Sequence, residues 1–353
     1  MRYPFAMECG VFRTTYREDL ALHHTPIAKA RLWLLIAVLY LLPSLLGSYV
    51  TSILNQVAIF SIAAIGLNIL TGFAGQISIG HGAFMGVGAF ASGYLMTKHG
   101  VPFWVAAPAG GLIAALVGAI FGLPSARLKG LYLAIASLAA QVVLDFVFIR
   151  WESVTGGVNS MSVPRPTILG HALDSEETFY YLALTLALLH GAFAVNLFRT
   201  RVGRALVAIR DRDLAAEVMG VDLFRYKVLA FALSAFYAGV AGALWGPYVL
   251  IINPEHFTIL LSIELLAMII IGGLGSVMGS VYGAAFMVVL PIAVSRLATF
   301  ASQYVPGVGD RLMLLREFVF GTAIILFLVL EPEGLARLWR NVKDYFRLWP
   351  FSY

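Results

Sequence analysis

The sequence predicts an all-α polytopic membrane protein with about ten transmembrane helices, and three observations support this fold class. First, 60% of the 353 residues are hydrophobic and only 12% are charged, whereas soluble domains carry roughly 25% charged residues. Second, the chain contains about ten apolar runs close to the roughly 20 residues that a helix needs to cross a bilayer. Third, the basic residues concentrate in alternate polar segments, as the positive-inside rule requires.

Each apolar run predicts one span. In chain order, the predicted spans cover residues 32–48, 53–70, 77–96, 103–123, 131–149, 179–197, 228–250, 259–274, 277–294 and 312–330. Three of these runs are weak: the third opens in glycines, the eighth is short, and the tenth carries Arg316 and Glu317 near its start. Eight or nine spans are therefore the alternative counts.

The charge pattern orients the chain. If the N-terminus lies in the cytoplasm and the polar segments between spans lie on alternating sides of the membrane, most of the 24 lysines and arginines fall in inner segments. The organisation that follows is a cytoplasmic segment 1–31, a membrane domain 32–332 with an outer loop 150–178 and an inner loop 199–227, and a basic cytoplasmic tail 333–353. Tryptophans and basic residues in this tail predict a helix at the membrane surface.

Several kinds of functional site are absent from the sequence. None of the five lysines follows a glycine, so the chain has no P-loop for ATP. Cys9 is the only cysteine, and neither a His-Glu-x-x-His metal motif nor a Gly-x-Ser-x-Gly elbow occurs. We therefore expect no metal, no cofactor and no enzyme activity. The net charge of +5 is explained by the membrane flanks rather than by nucleic-acid binding.

The inner loop 199–227 is the longest charged inner segment. Within it, residues 213–219 are mostly good helix formers, and Gly220 follows them as a suitable C-terminal cap. This pattern predicts a short helix outside the bilayer. The alternative is a solvated connector whose charges only fix the topology.

Glycines occur in two patterns, at regular helical spacing and in dense clusters. Small residues at every fourth position predict close helix packing, and they occur at Gly110, Ala114, Gly118 and Gly122 and again at Gly275, Gly279 and Gly283. Residues 71–82 and 272–276 are too rich in glycine for a continuous helix. They predict broken helices, which line a cavity or are buried in protein when they lie at membrane depth. Tight turns at the inner surface are the alternative.

Polar groups near these breaks are candidates for a substrate path. The candidates are Asn68, Gly72, Gly75, Gln76, Ser78, His81, Glu264, Gly272, Gly273 and Gly275. The side chains at the first break could bind a zwitterionic amino acid, or they could cap the broken helix. Glu264 lies in an apolar run, where it could accept a hydrogen bond or meet a substrate ammonium.

Three stretches together resemble one family. Residues 66–84 (GLNILTGFAGQISIGHGAF), the segment from Ile209 to Gly220, and residues 270–276 (IIGGLGS) are similar to the permease subunits of branched-chain amino acid ABC importers. The resemblance runs from the second span to the last. It implies the vitamin B12-type (type II) permease fold in a bacterial inner membrane and import of leucine, isoleucine or valine.

The resemblance also implies partners. These are a second homologous permease, two cytoplasmic ATP-binding subunits that bind the ATP, and a periplasmic substrate-binding protein. The inner loop is then the ATPase-coupling segment, formed by Arg210, Asp211, Arg212, Asp213, Leu214, Ala215, Ala216, Glu217 and Gly220. It departs from the family pattern, because Leu214 stands where a glutamate is usual and the later Leu-Pro is missing.

Other functions stay open at this point. A urea or short-amide importer has a similar permease. A passive channel or an ion-coupled carrier would not need the docking helix, and a membrane-embedded enzyme would need clustered carboxylates, histidines or cysteines.

Overall fold

Long helices make up most of the chain in the computed structural model, which describes Thr15, residues 26–168, 171–302 and 333–348, and isolated positions between 318 and 329. The long helices are α1 (Pro26–Leu45), α2 (Ser48–Asn68), α3 (His81–His99), α4 (Phe103–Ser125), α5 (Leu131–Arg150), α7 (Glu176–Leu197), α10 (Leu223–Val249), α11 (Ile259–Gly272) and α12 (Val277–Ser302). Shorter helices are α6 (Glu152–Thr155), α8 (Arg201–Asp211), α9 (Asp213–Val218) and α13 (Leu335–Leu348). Four two-residue strands lie between them: β1 (Met161–Ser162), β2 (Thr167–Ile168), β3 (His171–Ala172) and β4 (Ile251–Ile252).

Seven helices in the described part of the chain are long and apolar enough to cross a membrane. They contain α2, α4, α5, α7, α10, α11 and α12, and each coincides with a predicted span. The first and third predicted spans correspond to α1, with 20 residues, and α3, with 19 residues. Apart from a few isolated positions, the tenth predicted span lies outside the described residues. The chain is thus a mostly helical, multi-pass membrane protein.

The loops fall at two ends of the helices. At one end, which we call the basic end, Arg210 contacts the carbonyl of Gly72 and Lys129 forms an ion pair with Asp213. These contacts join the segments that follow α2, α4 and α8. At the opposite end, β1 pairs with β4 in an antiparallel ribbon that joins the loop after α5 to the loop after α10. The connections after α2, α4 and α8 therefore lie at one end and those after α5 and α10 at the other, which agrees with the predicted alternation for these five connections.

The glycine positions are explained by helix packing. A Cβ atom added at Gly88 in α3 would lie 2.2 Å from the Cα of Gly239 in α10, and one at Gly242 would lie 1.9 Å from the carbonyl oxygen of Met85. Gly118 is one of the small residues predicted to repeat at every fourth position of α4, and a Cβ added there would lie 2.3 Å from the Cβ of Ala235 in α10. Helices α3, α4 and α10 therefore pack backbone to backbone around the centre of the molecule.

Three details differ from the sequence-based expectations. Helix α3 begins at His81 rather than at residue 77, because the backbone before it is irregular. The outer loop 150–178 contains the short helix α6 and the strands β1 to β3, which add a little β-structure to an all-α prediction. The inner loop contains two helices, α8 and α9, where only the second was predicted.

Candidate functional site

The first glycine-rich stretch is a break in the membrane helix. Helix α2 widens into one π-helical turn, Ile69–Phe73, and the chain then turns at Gly75, whose φ of +68° favours glycine. Residues 76–80 form no regular helix before α3 begins. π-Helical turns are frequent at functional sites. The predicted break is therefore present.

Asn68, the last residue of α2, joins this break to the second one. Its amide nitrogen donates to the carbonyl oxygen of Ser276 (2.9 Å) and to the hydroxyl of Ser280 (2.8 Å). Its carbonyl oxygen accepts from the backbone amide of Gly275 (2.9 Å). The side chain is only 1% exposed. All these bonds stay inside protein, where an unpaired backbone group is costly.

The glycines at both breaks allow this close approach. A Cβ at Gly72 would lie 2.4 Å from the amide nitrogen of Gly275, and a Cβ at Gly272 would lie 2.0 Å from the carbonyl oxygen of Gly279. Gly273 has a φ of +118° and faces the start of the C-terminal segment, where Gly334 contacts it. The second glycine-rich stretch is a turn between α11 and α12 at residues 273–276, which is the alternative that the sequence left open, and we refer to it as the second break. It touches the first break on one side and the C-terminal segment on the other.

The N-terminus of α3 is capped by side chains from two other helices. The backbone amide of Gly82 donates to the hydroxyl of Ser262 (2.8 Å), and the amide of Ala83 donates to the side-chain oxygen of Gln141 (2.9 Å). The same oxygen accepts from the Ser262 hydroxyl (2.9 Å), while the Gln141 amide nitrogen donates to the carbonyl of Phe257 (2.7 Å). Neither Gln141 nor Ser262 was a sequence-based candidate. Sequence alone offers no signal for them, because the bonded residues lie 58 to 180 positions apart in the chain.

His81 is fully buried at this helix start. Its Nε2–H donates to the carbonyl oxygen of Ala63 (3.1 Å), and its Nδ1 accepts a longer hydrogen bond from the Ser234 hydroxyl (3.4 Å). Ser78 is also buried and accepts from the amide of Gly80. Of the two interpretations left open by the sequence, these contacts favour capping over substrate binding.

Gln76 differs from its neighbours. Its side chain is 3% exposed, and neither its amide nitrogen nor its carbonyl oxygen has a hydrogen-bond partner among the described residues. It lines a cavity of about 260 Å³ at the basic end, between the first break and the inner loop. The cavity wall also carries the side chains of Lys129, Arg210 and Lys227. Of the predicted substrate-path side chains, Gln76 retains the most unused hydrogen-bonding capacity.

Arg210 connects the inner loop to both breaks. Its Nη1 donates to the carbonyl oxygen of Gly72 (3.1 Å), while its Nε and Nη2 hold the carboxylate of Asp211 at 2.9 and 2.8 Å. A Cβ at Gly75 would lie 3.0 Å from the Arg210 side chain, and one at Gly275 would lie 3.1 Å from its Nη1. The planar guanidinium suits this forked arrangement, in which one edge binds a carboxylate and another group reaches a carbonyl.

Helix α8 holds Arg210 in place and was not predicted. Its buried side chains are Ala205, Leu206 and Ile209, and Val202 packs on the core from the same face. The spacing of three and four residues is that of an amphipathic helix. This spacing was the available signal, but the surrounding arginines obscured it.

The predicted helix of the inner loop is α9. It ends in a Schellman motif, in which the amide of Val221 donates to the carbonyl of Ala216 (3.0 Å) and the amide of Gly220 to that of Glu217 (2.9 Å). Gly220 has a φ of +86°. Its role as the C-terminal cap matches the expectation from sequence.

The outer face of α9 is apolar and exposed. Leu214, Val218 and Met219 are 68%, 87% and 83% exposed. Val218 and Met219 were not among the predicted site residues, although Val218 lies one turn after Leu214 on the same side of the helix and Met219 follows at the C-terminal end of the helix. The two alanines of the helix differ in exposure: Ala215 is exposed, whereas Ala216 is 5% exposed and faces the protein. Ala216 therefore cannot contact a partner, although the family resemblance placed both alanines in the coupling segment.

An ion pair fixes the start of α9. Lys129, from the loop after α4, contacts the carboxylate of Asp213. The hydrogen bond from Lys129 lowers the pKa of Asp213 below its usual range. Arg212 and Glu217 are exposed beside this pair.

Glu264 stands apart from the two breaks. It is half-buried in α11, two residues beyond Ser262. Successive helix residues are rotated by about 100°, so the side chains of Ser262 and Glu264 point to nearly opposite sides. Glu264 is therefore not part of the cap at α3.

The structure has several apolar membrane helices, two breaks closed by buried hydrogen bonds, and a polar segment in contact with both breaks. This combination is that of a membrane-embedded transport subunit. The comparison with known families agrees with this class. The family described as branched-chain amino acid transport system, permease component, matches residues 49–328. The chain belongs to this family, whose members are ABC transporter permeases.

Individual relatives are similar over most of their length. The high-affinity branched-chain amino acid transport system permease protein LivM of Escherichia coli strain K12 is 29% identical over 324 residues, covering 84% of this chain and 72% of the relative. LivM of Salmonella typhimurium is 28% identical, with 87% and 74% covered. The permease protein LivH of Escherichia coli strain K12 is 24% identical, with 75% and 91% covered. No solved structure is significantly similar to this chain.

Proposed function

We propose that this chain is the membrane-spanning permease of an ATP-driven importer of leucine, isoleucine and valine. It forms the pore with a second homologous permease, and a periplasmic binding protein delivers the amino acid. Two cytoplasmic subunits bind and hydrolyse ATP, and the permease itself uses no cofactor. The assembly lies in a bacterial inner membrane, with residues 1–31 and 333–353 on the cytoplasmic side.

One observation carries the coupling part of this proposal. The inner loop is connected through Arg210 to the first break, and through Asn68 the first break is connected to the second. A displacement of α9 by a docked ATP-binding subunit therefore reaches both breaks through hydrogen bonds and packed backbone. The breaks are the places where the membrane helices depart from regular geometry, so they can change conformation at the lowest cost.

The exposed apolar face of α9 supports a docking role. Three large apolar side chains in water, surrounded by charged groups, have the composition of an interface with an apolar centre and a polar rim. Arg212 and Glu217 are exposed rim groups of opposite charge. We infer that Val218 and Met219 enter a cleft of the ATP-binding subunit.

The substrate assignment rests on relatives. The LivM and LivH relatives are named as proteins of high-affinity branched-chain amino acid transport. Urea or short amides are the alternative substrates. We expect the binding protein to select the substrate, because the described break residues are mostly occupied by hydrogen bonds within the permease.

Uptake by the reconstituted complex tests the function. Proteoliposomes would contain both permeases and the ATP-binding subunits, with ATP inside and binding protein outside. We expect uptake of radiolabelled leucine, isoleucine and valine with ATP, and none with a non-hydrolysable analogue. Uptake of urea instead would replace the substrate assignment, and uptake by the permeases without ATP-binding subunits would contradict the importer.

A charge substitution on α9 tests the docking surface. The variant Val218→Glu/Met219→Glu places two carboxylates on an apolar contact, so we expect the ATP-binding subunits to be lost during purification in mild detergent. The matched control is Val158→Glu, because Val158 is 77% exposed at the opposite end of the molecule. Full recovery of the ATP-binding subunits with the double variant would refute docking at α9.

A further inference from the structure

Helix α13 is amphipathic. Its large apolar side chains are spaced by three and four residues and therefore share one face. They are Leu335, Leu338, Trp339, Val342, Tyr345 and Phe346. The rest of the helix carries four basic residues, Arg337, Arg340, Lys343 and Arg347, and one acidic residue, Asp344.

The apolar face is not covered within the described part of the chain. Trp339 and Phe346 are 58% and 54% exposed, and Val342 is 38% exposed. Among the described residues, the start of the helix touches the membrane helices, where Leu335 packs against the core and Ala336 lies beside Gly273. A contiguous exposed apolar face of this kind indicates a surface that binds something.

The position of α13 fits a membrane surface. Gly334, directly before the helix, contacts Gly273 at the second break. That break lies at the basic end, because Arg210 of the inner loop is also in contact with it. Helix α13 therefore starts at the level where the membrane helices end and the polar loops begin.

The charge of α13 identifies the surface. Four basic side chains against one acidic side chain give the helix an excess of positive charge, and Arg337 is partly neutralised by contact with Glu333. A helix with aromatic and aliphatic side chains on one face and lysine and arginine on the other binds in the plane of the lipid–water interface. Basic side chains at that depth attract anionic lipid headgroups.

We propose that α13 lies flat on an anionic lipid surface at the basic end. Its apolar face enters the boundary between headgroups and acyl chains, Lys343 beside that face contacts lipid phosphates, and the net positive charge of the helix attracts the anionic surface. Trp339 and Phe346 are the anchors, since aromatic side chains prefer this boundary. The occupant of the apolar face is thus lipid. Binding of α13 to lipid holds Gly334, directly before the helix, in place, and Gly334 in turn contacts the second break.

Site-specific quenching in the full-length protein tests the proposal. The sequence has one cysteine, Cys9, so Cys9→Ser provides a background for a single fluorescent label at Val342→Cys on the apolar face. The control label is placed at Arg340→Cys, on the opposite face of the helix. The proteins are reconstituted in phosphatidylglycerol-containing vesicles with nitroxide-labelled lipid, and iodide serves as a quencher from water.

We expect lipid nitroxide to quench the label at 342 several-fold more than the label at 340, and iodide to show the reverse order. Replacing phosphatidylglycerol by phosphatidylcholine, or introducing Lys343→Gln/Arg347→Gln, should reduce the difference. Equal quenching at both positions would overturn the proposal. Protection of position 342 from both quenchers, appearing only after the ATP-binding subunits or a second permease are added, would overturn it in favour of a protein partner.

Discussion

Replacing Asn68 tests the connection between the two breaks. Asn68→Leu keeps the side chain close to its original size but removes the amide, so the backbone amide of Gly275 loses its acceptor and the hydroxyl of Ser280 loses the donor from Asn68. We expect the free energy of unfolding to fall and the movement of α9 to reach the second break less efficiently. The complex should then hydrolyse ATP without the corresponding uptake.

The size of the effect follows from three bonds of 2.8 to 2.9 Å. Net contributions of about 1 kcal/mol per hydrogen bond give a loss of about 3 kcal/mol. Hydrogen bonds between membrane helices contribute a smaller average of about 0.6 kcal/mol each, which gives a loss of about 2 kcal/mol for the three bonds. If this free energy is lost from the coupling between the breaks, about 2 to 3 kcal/mol corresponds to a fall of roughly 30- to 150-fold in uptake per ATP hydrolysed.

Asn55 provides a matched control on the same helix. It is also fully buried, and its amide donates to the backbone and side-chain oxygens of Glu176, each at 3.0 Å, at the end of α2 remote from the breaks. Asn55→Leu should lower the melting temperature, measured by tryptophan fluorescence in detergent, to a similar or smaller extent. Uptake per ATP hydrolysed should stay at the wild-type value in this control.

The ratio of uptake to hydrolysis separates stability from coupling. If Asn68→Leu lowers the melting temperature but keeps the wild-type ratio, Asn68 is only a structural residue and the proposed transmission is refuted. If both variants lower the ratio equally, the effect arises from general destabilisation and the reasoning also fails.

The remaining predictions concern the arginine link, the glycine packing and the inner-loop ion pair. Arg210→Lys keeps the charge but cannot hold a carboxylate and the carbonyl of the first break together, so uptake should fall severalfold with insertion unchanged; wild-type uptake would contradict this link. Gly283→Ala should prevent stable folding, because its Cβ would lie 1.8 Å from a carbonyl oxygen of α11. The helix interior position Gly191 has nothing within 4 Å, and Gly191→Ala should raise the melting temperature slightly, since alanine favours helix by about 1 kcal/mol; equal melting temperatures would refute the packing argument. Because the Asp213 pKa is lowered in the folded protein, its pair with Lys129 stabilises above the unfolded pKa and is lost only as the pH falls through the lower folded value. Lys129→Gln should therefore change the melting temperature by the same amount at pH 6 and pH 8, and a difference between them would contradict the assignment.

Local patterns were sufficient for the helices and their breaks. Apolar runs near the length of a bilayer predict α2, α4 and α10 directly. Glycine density predicts the irregular chain before α3, whereas at residues 273–276 the alternative is correct, a turn between two membrane helices. Gly220 predicts the end of α9, because a helix that stops at a glycine with positive φ has few alternatives.

Contacts between distant segments could not be predicted in this way. Gln141 and Ser262 look like ordinary polar residues in apolar helices, and only the folded chain brings them to the first turn of α3. Conversely, His81 attracts attention in the sequence as a titratable group, but its ring is occupied by hydrogen bonds to α2 and α10. Sequence reasoning located the polar positions at the break, whereas the partners that determine their roles come from tertiary packing.

The backbone contact of α3 with α10 has a genetic consequence. Every amino-acid change at Gly88, Gly239 or Gly242 adds at least a Cβ atom, whose nearest neighbours would lie between 1.9 and 2.5 Å away. In a saturation mutagenesis library selected for growth on leucine, these codons should therefore retain only synonymous variants. Codons for exposed apolar residues of the membrane helices such as Leu116 and Phe146, which are 64% and 62% exposed, should accept most apolar substitutions. The pattern of accepted alleles would thus trace the contact between helices without any measurement of structure.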